Sequence, residues 1–176
     1  QTYPDAKLQF NTSVNRYFQC GGPTEITDLT INANGKKQLY IYGGSSLKIT
    51  STVKCTGGLV RVYGGYSYAS GINVENTQLD LACDTLGYVY GSEGMVTGNV
   101  LINLNGTCVT KMISPGVNQS GASNPKTATL NVQGNAELKL LPINGNGTTA
   151  MDKVTVNLYG GKVQELRSGR GEYAAL

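Results

Sequence analysis

A short phrase occurs three times in this chain. Residues 39–44 read L-Y-I-Y-G-G, residues 59–65 read L-V-R-V-Y-G-G and residues 86–92 read L-G-Y-V-Y-G-S. Each is a β-favouring run closed by a turn residue. The tyrosines before the glycine, Tyr42, Tyr63 and Tyr90, stand 21 and 27 residues apart, a spacing at which self-similarity marks a solenoid. A unit of that length cannot bury its apolar face alone and must stack on its neighbours.

Laid beneath one another, the units start with strands at 29–32, 47–50, 72–75, 100–103, 129–132 and 154–157, each followed by a Gly- or Asn-bearing corner and a second strand. They close at Gly43-Gly44, Gly64-Gly65, Gly91-Ser92, Pro115-Gly116, Asn144-Gly145 and Ser168-Gly169. Apolar and polar residues alternate within the strands, which gives each one a buried and an exposed face. Only residues 136–141 come near a helical pattern, and Pro142 ends that run. The expected fold is all-β: a right-handed parallel β-helix of about six coils over residues 25–176, its hand following the rule for parallel crossovers. Residues 1–24 lack the repeat and are read as an N-terminal cap, or as an arm that pairs with a neighbour. Residues 117–126 (V-N-Q-S-G-A-S-N-P-K) form a polar insertion, expected as a corner loop.

Stacked coils align equivalent residues in columns. In this register Ile41, Val62 and Val89 point inward, while Tyr42, Tyr63 and Tyr90 point outward beside a second outward column of Tyr40, Arg61 and Tyr88. The result is an aromatic stripe of ring faces flanked by Asn and Thr, suited to stacking on a sugar or a partner protein. Tyr66 and Tyr68, in the turn after Gly65, are the strongest contact candidates because no column accounts for them. Columns of tyrosine also stabilise parallel strands simply by stacking on one another.

Four cysteines, an even number in a chain poor in charge, point to an oxidising compartment. Cys55, Cys83 and Cys108 fall at nearly the same corner of successive coils, which brings them within reach of vertical disulfides. The expected pairs are Cys83 with Cys108 and Cys20 with Cys55. With no histidine and no C-x-x-C, a metal site is not expected. The absence of histidine also removes the commonest general base. Asp80 and Asp84 are close enough in sequence to be weighed as a glycosidase pair, but nothing basic is clustered beside them, so they are read as corner residues and the protein as non-enzymatic, with no cofactor.

Lys and Arg number 14 against 11 Asp and Glu, and the basic residues are scattered, so nucleic acid is a poor partner. No apolar run reaches the length of a membrane span. The chain starts Gln1-Thr2-Tyr3, as a chain does after leader removal, and export to the cell surface is the working expectation. Asn11, Asn105, Asn118 and Asn146 lie in N-x-[ST] sites and would accept glycans in a eukaryotic secretory route.

Units such as residues 99–106 (N-V-L-I-N-L-N-G) and 153–161 (K-V-T-V-N-L-Y-G-G), joined by V-Y-G-G, resemble the degenerate β-solenoid repeats of large bacterial surface proteins and adhesins. The resemblance is one of repeat style over residues 26–170. It implies a parallel β-helix displayed outside the cell, in a role of adhesion to a glycan or surface protein. The alternative is a structural subunit of a filament, sheath or surface layer, a homo-polymer joined through its terminal coils.

Overall fold

The computed structural model describes residues 7–9, 15–32, 38–56, 59–143 and 145–167. The chain coils into a parallel β-solenoid of about six turns built from two long sheets and one short one. The seven-stranded sheet contains β2 (Arg16–Gln19), β5 (Gln38–Tyr42), β8 (Leu59–Tyr63), β10 (Thr85–Ser92), β12 (Val109–Val117), β14 (Glu137–Pro142) and β16 (Lys162–Arg167), in that order. The six-stranded sheet stacks β3 (Thr24–Ile26), β6 (Ser46–Ile49), β9 (Thr77–Leu81), β11 (Asn99–Leu104), β13 (Thr127–Gln133) and β15 (Lys153–Tyr159). A third sheet, β1 (Lys7–Gln9), β4 (Thr30–Asn32) and β7 (Lys54–Thr56), exists only in the early coils. In later coils this third side shrinks to a corner, because β9 reaches β10 across residues 82–84 and β11 reaches β12 across 105–108.

The core follows from strand alternation. Leu47, Leu79, Ile102 and Leu130 form one inward column, and Ile41, Val62, Val89 and Ile113 face it from the other sheet. All eight are buried. The Gly-Gly turns work by two different means. A Cβ on Gly64 would overlap the Gly91 carbonyl oxygen in the next coil, so backbone passes where a side chain would stand. Gly65, at φ +71°, takes the left-handed conformation that reverses the chain. Gly44 and Gly65 exchange both backbone hydrogen bonds, and the buried Thr77 hydroxyl donates to the Gly44 carbonyl at 2.8 Å while accepting from the Gly65 N–H at 3.2 Å.

Three expectations shift. Of residues 29–32, Thr30–Asn32 belong to the third sheet as β4, and the first coil's equivalent strand is β3. Residues 72–75 lie outside the sheets, in an excursion between β8 and β9 that carries a 3-10 turn, Tyr68–Ser70; the true strand is β9. Pro115-Gly116 continues β12 instead of ending it. Asn144 and Ser168-Gly169 lie outside the described residues. Within the span read as a cap or arm, β1 and β2 pair in parallel with β4 and β5. Among the described residues no helix is long and apolar enough to cross a membrane.

Candidate functional site

The outer face of the seven-stranded sheet carries the tyrosines. Because Leu39 and Ile41 point inward, Tyr40 and Tyr42 must point outward, and pairing aligns Tyr42 with Tyr63 and Tyr63 with Tyr90. Outward does not mean exposed here. Tyr42, Tyr63 and Tyr90 are buried and form, with Met112, a second apolar cluster on the outside of the sheet. Their rings lie 5.1 and 5.0 Å apart, tilted by 23° and 16°, so each face covers its neighbour's. The expected stripe of open ring faces is therefore corrected, for these three, to a buried stack whose faces cover one another.

The second column runs Tyr17, Tyr40, Arg61, Tyr88 and Met112. Tyr17 stacks on Tyr40 at 4.9 Å. The Arg61 guanidinium lies between the rings of Tyr40 and Tyr88, 5.6 and 4.8 Å from their centroids, taking the place a fourth ring would occupy. Burial works against its charge, but the Tyr63 hydroxyl and the surrounding tyrosines hold its pKa above the ordinary value.

A roof covers the stack. The excursion after β8 folds back over β2 and forward over the end of β10: the Ser67 N–H donates to Gln19 Oε1 at 3.3 Å, and the Tyr68 N–H to Glu93 Oε2 at 2.9 Å. The Tyr66 hydroxyl points at the Gly21 carbonyl, 3.5 Å away. Beneath the roof the Tyr42 hydroxyl donates to Glu93 Oε1 at 3.2 Å, so one carboxylate ties the roof to the stack. Burial, reinforced by the Glu93 charge, pushes the Tyr42 phenol well above its usual range. Burial also raises Tyr63, with Arg61 offsetting part of the rise. The 117–126 insertion supplies the far wall, where Asn118 Nδ2 lies 3.5 Å from the Tyr63 hydroxyl. Buried Asn124 anchors that wall by accepting from the Val117 N–H and donating to the Thr149 carbonyl.

One notch of about 450 Å³ stays open, lined by Tyr17, Tyr42, Ser67, Tyr68, Ala69 and Glu93. Tyr17 and Tyr68 stand 65% and 52% exposed on it. Tyr68 was legible as a contact candidate, but Tyr17 and Glu93 were missed. Arg16-Tyr17-Phe18 matches Leu39-Tyr40-Ile41 in register, and that match was the available signal for Tyr17. Glu93 has no sequence signature, because its role depends on a roof strand that returns from 25 residues away.

The other candidates fall elsewhere. Asp80 accepts from Asn103 Nδ2 at 2.5 Å and Gln78 Nε2 at 2.7 Å on the outer face of the six-stranded sheet. Asp84 Oδ1 caps a corner, accepting the N–H groups of Cys55 and Thr85. All four cysteines are free thiols. Cys20 is not a neighbour of Cys55: it leaves β2 where the two long sheets meet and donates its N–H to the Tyr42 carbonyl, whereas Cys55 pairs with Ile31 in the third sheet. Cys83 and Cys108 are in contact. At Asn146 the amide nitrogen that would carry a glycan donates to the Asn118 carbonyl; Asn105 is half-buried, and Asn11 lies outside the described residues.

No family model, curated protein or solved structure matches the chain.

Proposed function

We propose that the protein is a non-catalytic recognition module displayed outside the cell, and that it holds a glycan or surface-protein partner in the notch between Tyr17 and Tyr68. What carries this reading is the combination of two exposed ring faces with a carboxylate on one concave surface. Apolar sugar faces stack on such rings, and hydroxyls donate to such a carboxylate. The stacked tyrosines below act as the rigid floor and not as the contact. On a glycan array, Tyr68→Ala is expected to lose binding with the fold intact by circular dichroism. Binding that survives Tyr68→Ala and Tyr17→Ala together would overturn the notch reading.

A second reading, a self-assembling extracellular subunit, draws on the ends of the solenoid. At one end Phe18, 40% exposed, opens onto an apolar recess lined by Ile26, Leu29, Ile31, Leu39 and Ile41. At the other, β15 and β16 each have an edge that no strand among the described residues pairs, with Leu158 and Tyr159 exposed. Such edges accept a further coil from a second copy. Particle mass by light scattering decides between the two: growth with concentration supports assembly, and a constant monomer mass removes it.

A further inference from the structure

Three of the four cysteines stand in one file at the corner that closes each coil on its third side. Cys55 pairs in register with Ile31. The Cys55 N–H donates to Asp84 Oδ1 at 2.9 Å, and the Asp84 carbonyl accepts from the Val109 N–H at 3.0 Å, so the corners holding Cys55, Cys83 and Cys108 are laced in succession. The Cys83 thiol meets Cys108 on one side and Cys55 on the other. Buried Ile31 fills the corner before the file and buried Ala136 the corner after it.

A file of three sulfurs holds one disulfide and leaves one thiol over. Adjacent coils repeat at about 4.8 Å, inside the Cα window of about 4.4–6.8 Å that a disulfide tolerates. Either neighbouring pair can close, whereas the first and third are too far apart. The remaining sulfur then lies behind the bond, placed for thiol–disulfide exchange. Access separates the three. Cys83 and Cys108 are fully buried, while Cys55 is half-buried and lines a groove of about 210 Å³ with Leu59, Thr85, Gly87 and the exposed Lys111.

We propose that Cys55, Cys83 and Cys108 form a thiol relay that takes up oxidising equivalents from a small carboxylate-bearing disulfide at Cys55 and stores them as a buried Cys83–Cys108 bond. Lys111 supplies the complementary charge at the groove. In the first step the Cys55 sulfur attacks the small disulfide, forming a mixed disulfide and releasing one small thiol. In the second, Cys83 attacks the Cys55 sulfur and releases the other small thiol, its own proton passing to that departing sulfur. In the third, Cys108 attacks Cys83, and the departing Cys55 sulfur takes up the proton. The sum is two thiols oxidised to one disulfide, one disulfide reduced to two small thiols, and Cys55 regenerated. The finished bond is shielded from outside thiols, so its reduction also runs through Cys55.

The test starts from fully reduced protein given oxidised glutathione, with acid quenching and peptide mapping by mass spectrometry. Glutathione on Cys55 is expected first, then loss of that adduct as Cys83–Cys108 appears. Cys108→Ser should stop at Cys55–Cys83. Cys55→Ser should yield no Cys83–Cys108 in the time that fully oxidises the unaltered protein. Lys111→Gln should slow the first step about two- to fivefold with oxidised glutathione, the scale of one exposed ion pair, and leave an uncharged disulfide unaffected. A Cys55 adduct that persists, or a Cys83–Cys108 bond that forms at the same rate in Cys55→Ser, overturns the relay. The time course on the unaltered protein decides this even if a serine variant fails to fold.

Discussion

Tyr42 and Tyr63 are packed face to face under the roof, and both phenols are held above the ordinary value of 10.0 because burial disfavours the phenolate. The folded chain therefore keeps protons that the unfolded chain releases near pH 10. Stability from these two groups is fully present below that pH and falls as pH rises beyond it. In an alkaline titration the Tyr42 and Tyr63 phenolates should appear together with loss of the fold, followed by near-ultraviolet absorbance and circular dichroism. Tyr63→Phe tests the cause: it removes the ionisable group, keeps the ring, and should soften the alkaline loss. Backbone spacing sets a second limit at this scale. A Cβ at Gly64 would meet the Gly91 carbonyl and Thr77 Cγ2, whereas at Gly21 or Gly22 it would meet nothing within 4 Å. Gly64→Ala is expected to cost about 1–3 kcal/mol, the usual cost of overpacking, in urea unfolding, with Gly22→Ala close to neutral. The glycine after each Y was readable as a turn, but the close approach that excludes a methyl group was not, because it is set by the neighbouring coil.

Strand stacking turns polar residues into ladders. Asn103 donates to Asp80, Asn131 to Asn103 at 2.7 Å and Asn157 to Asn131 at 2.8 Å, all in register on the outside of the six-stranded sheet. Each side-chain amide passes its donor toward the N-terminal end, and Asp80, with acceptors only, finishes the run. Asn131 makes two of these bonds and Asn157 one. Asn131→Ala should therefore cost about 1–3 kcal/mol and Asn157→Ala about half as much, taking about 0.5–1.5 kcal/mol per bond; equal losses would mean that the ladder does not act as a unit. The repeated Y-G phrase made the coil visible, and laying the units beneath one another puts strands at 47–50, 100–103, 129–132 and 154–157, where β6, β11, β13 and β15 lie. Ile72-Asn73-Val74-Glu75 alternates as well but pairs with no sheet strand, since its neighbours in the coil below are taken by β9. Alternation reports a two-faced segment and cannot say what lies against either face. The tyrosine columns failed for the same reason: their side of the sheet was read correctly, and the roof that buries them comes from residues that look like an ordinary turn.

Burial is graded along the solenoid axis, which makes the whole molecule's stability uneven. In the central coils Leu79, Ile102 and Leu130 are fully buried, while in the last coil Val154, Val156 and Val163 are only half-buried, and Leu158 and Tyr159 stand 56% and 63% exposed. Each coil is held mainly by the coils above and below it, and among the described residues the last coil has one such neighbour where an inner coil has two. The outer roof reinforces the middle further, because it links Gln19 at the end of β2 to Glu93 just after β10, while Asn118, just after β12, meets the Tyr63 hydroxyl of the stack beneath it. Opening should therefore begin at β15 and β16 and run toward the roofed coils, which open last and together. Native-state hydrogen exchange resolved by peptide is the measurement: amides of β15 and β16 should exchange at the lowest opening free energy, and those of β8, β10 and β12 at a common higher value. Glu93→Ala should lower that central value without moving the β15 and β16 amides, because the carboxylate joins the roof to the stack and touches nothing in the last coil. A uniform drop across all strands would instead show that the solenoid unfolds as a single unit, with the roof contributing to every coil alike.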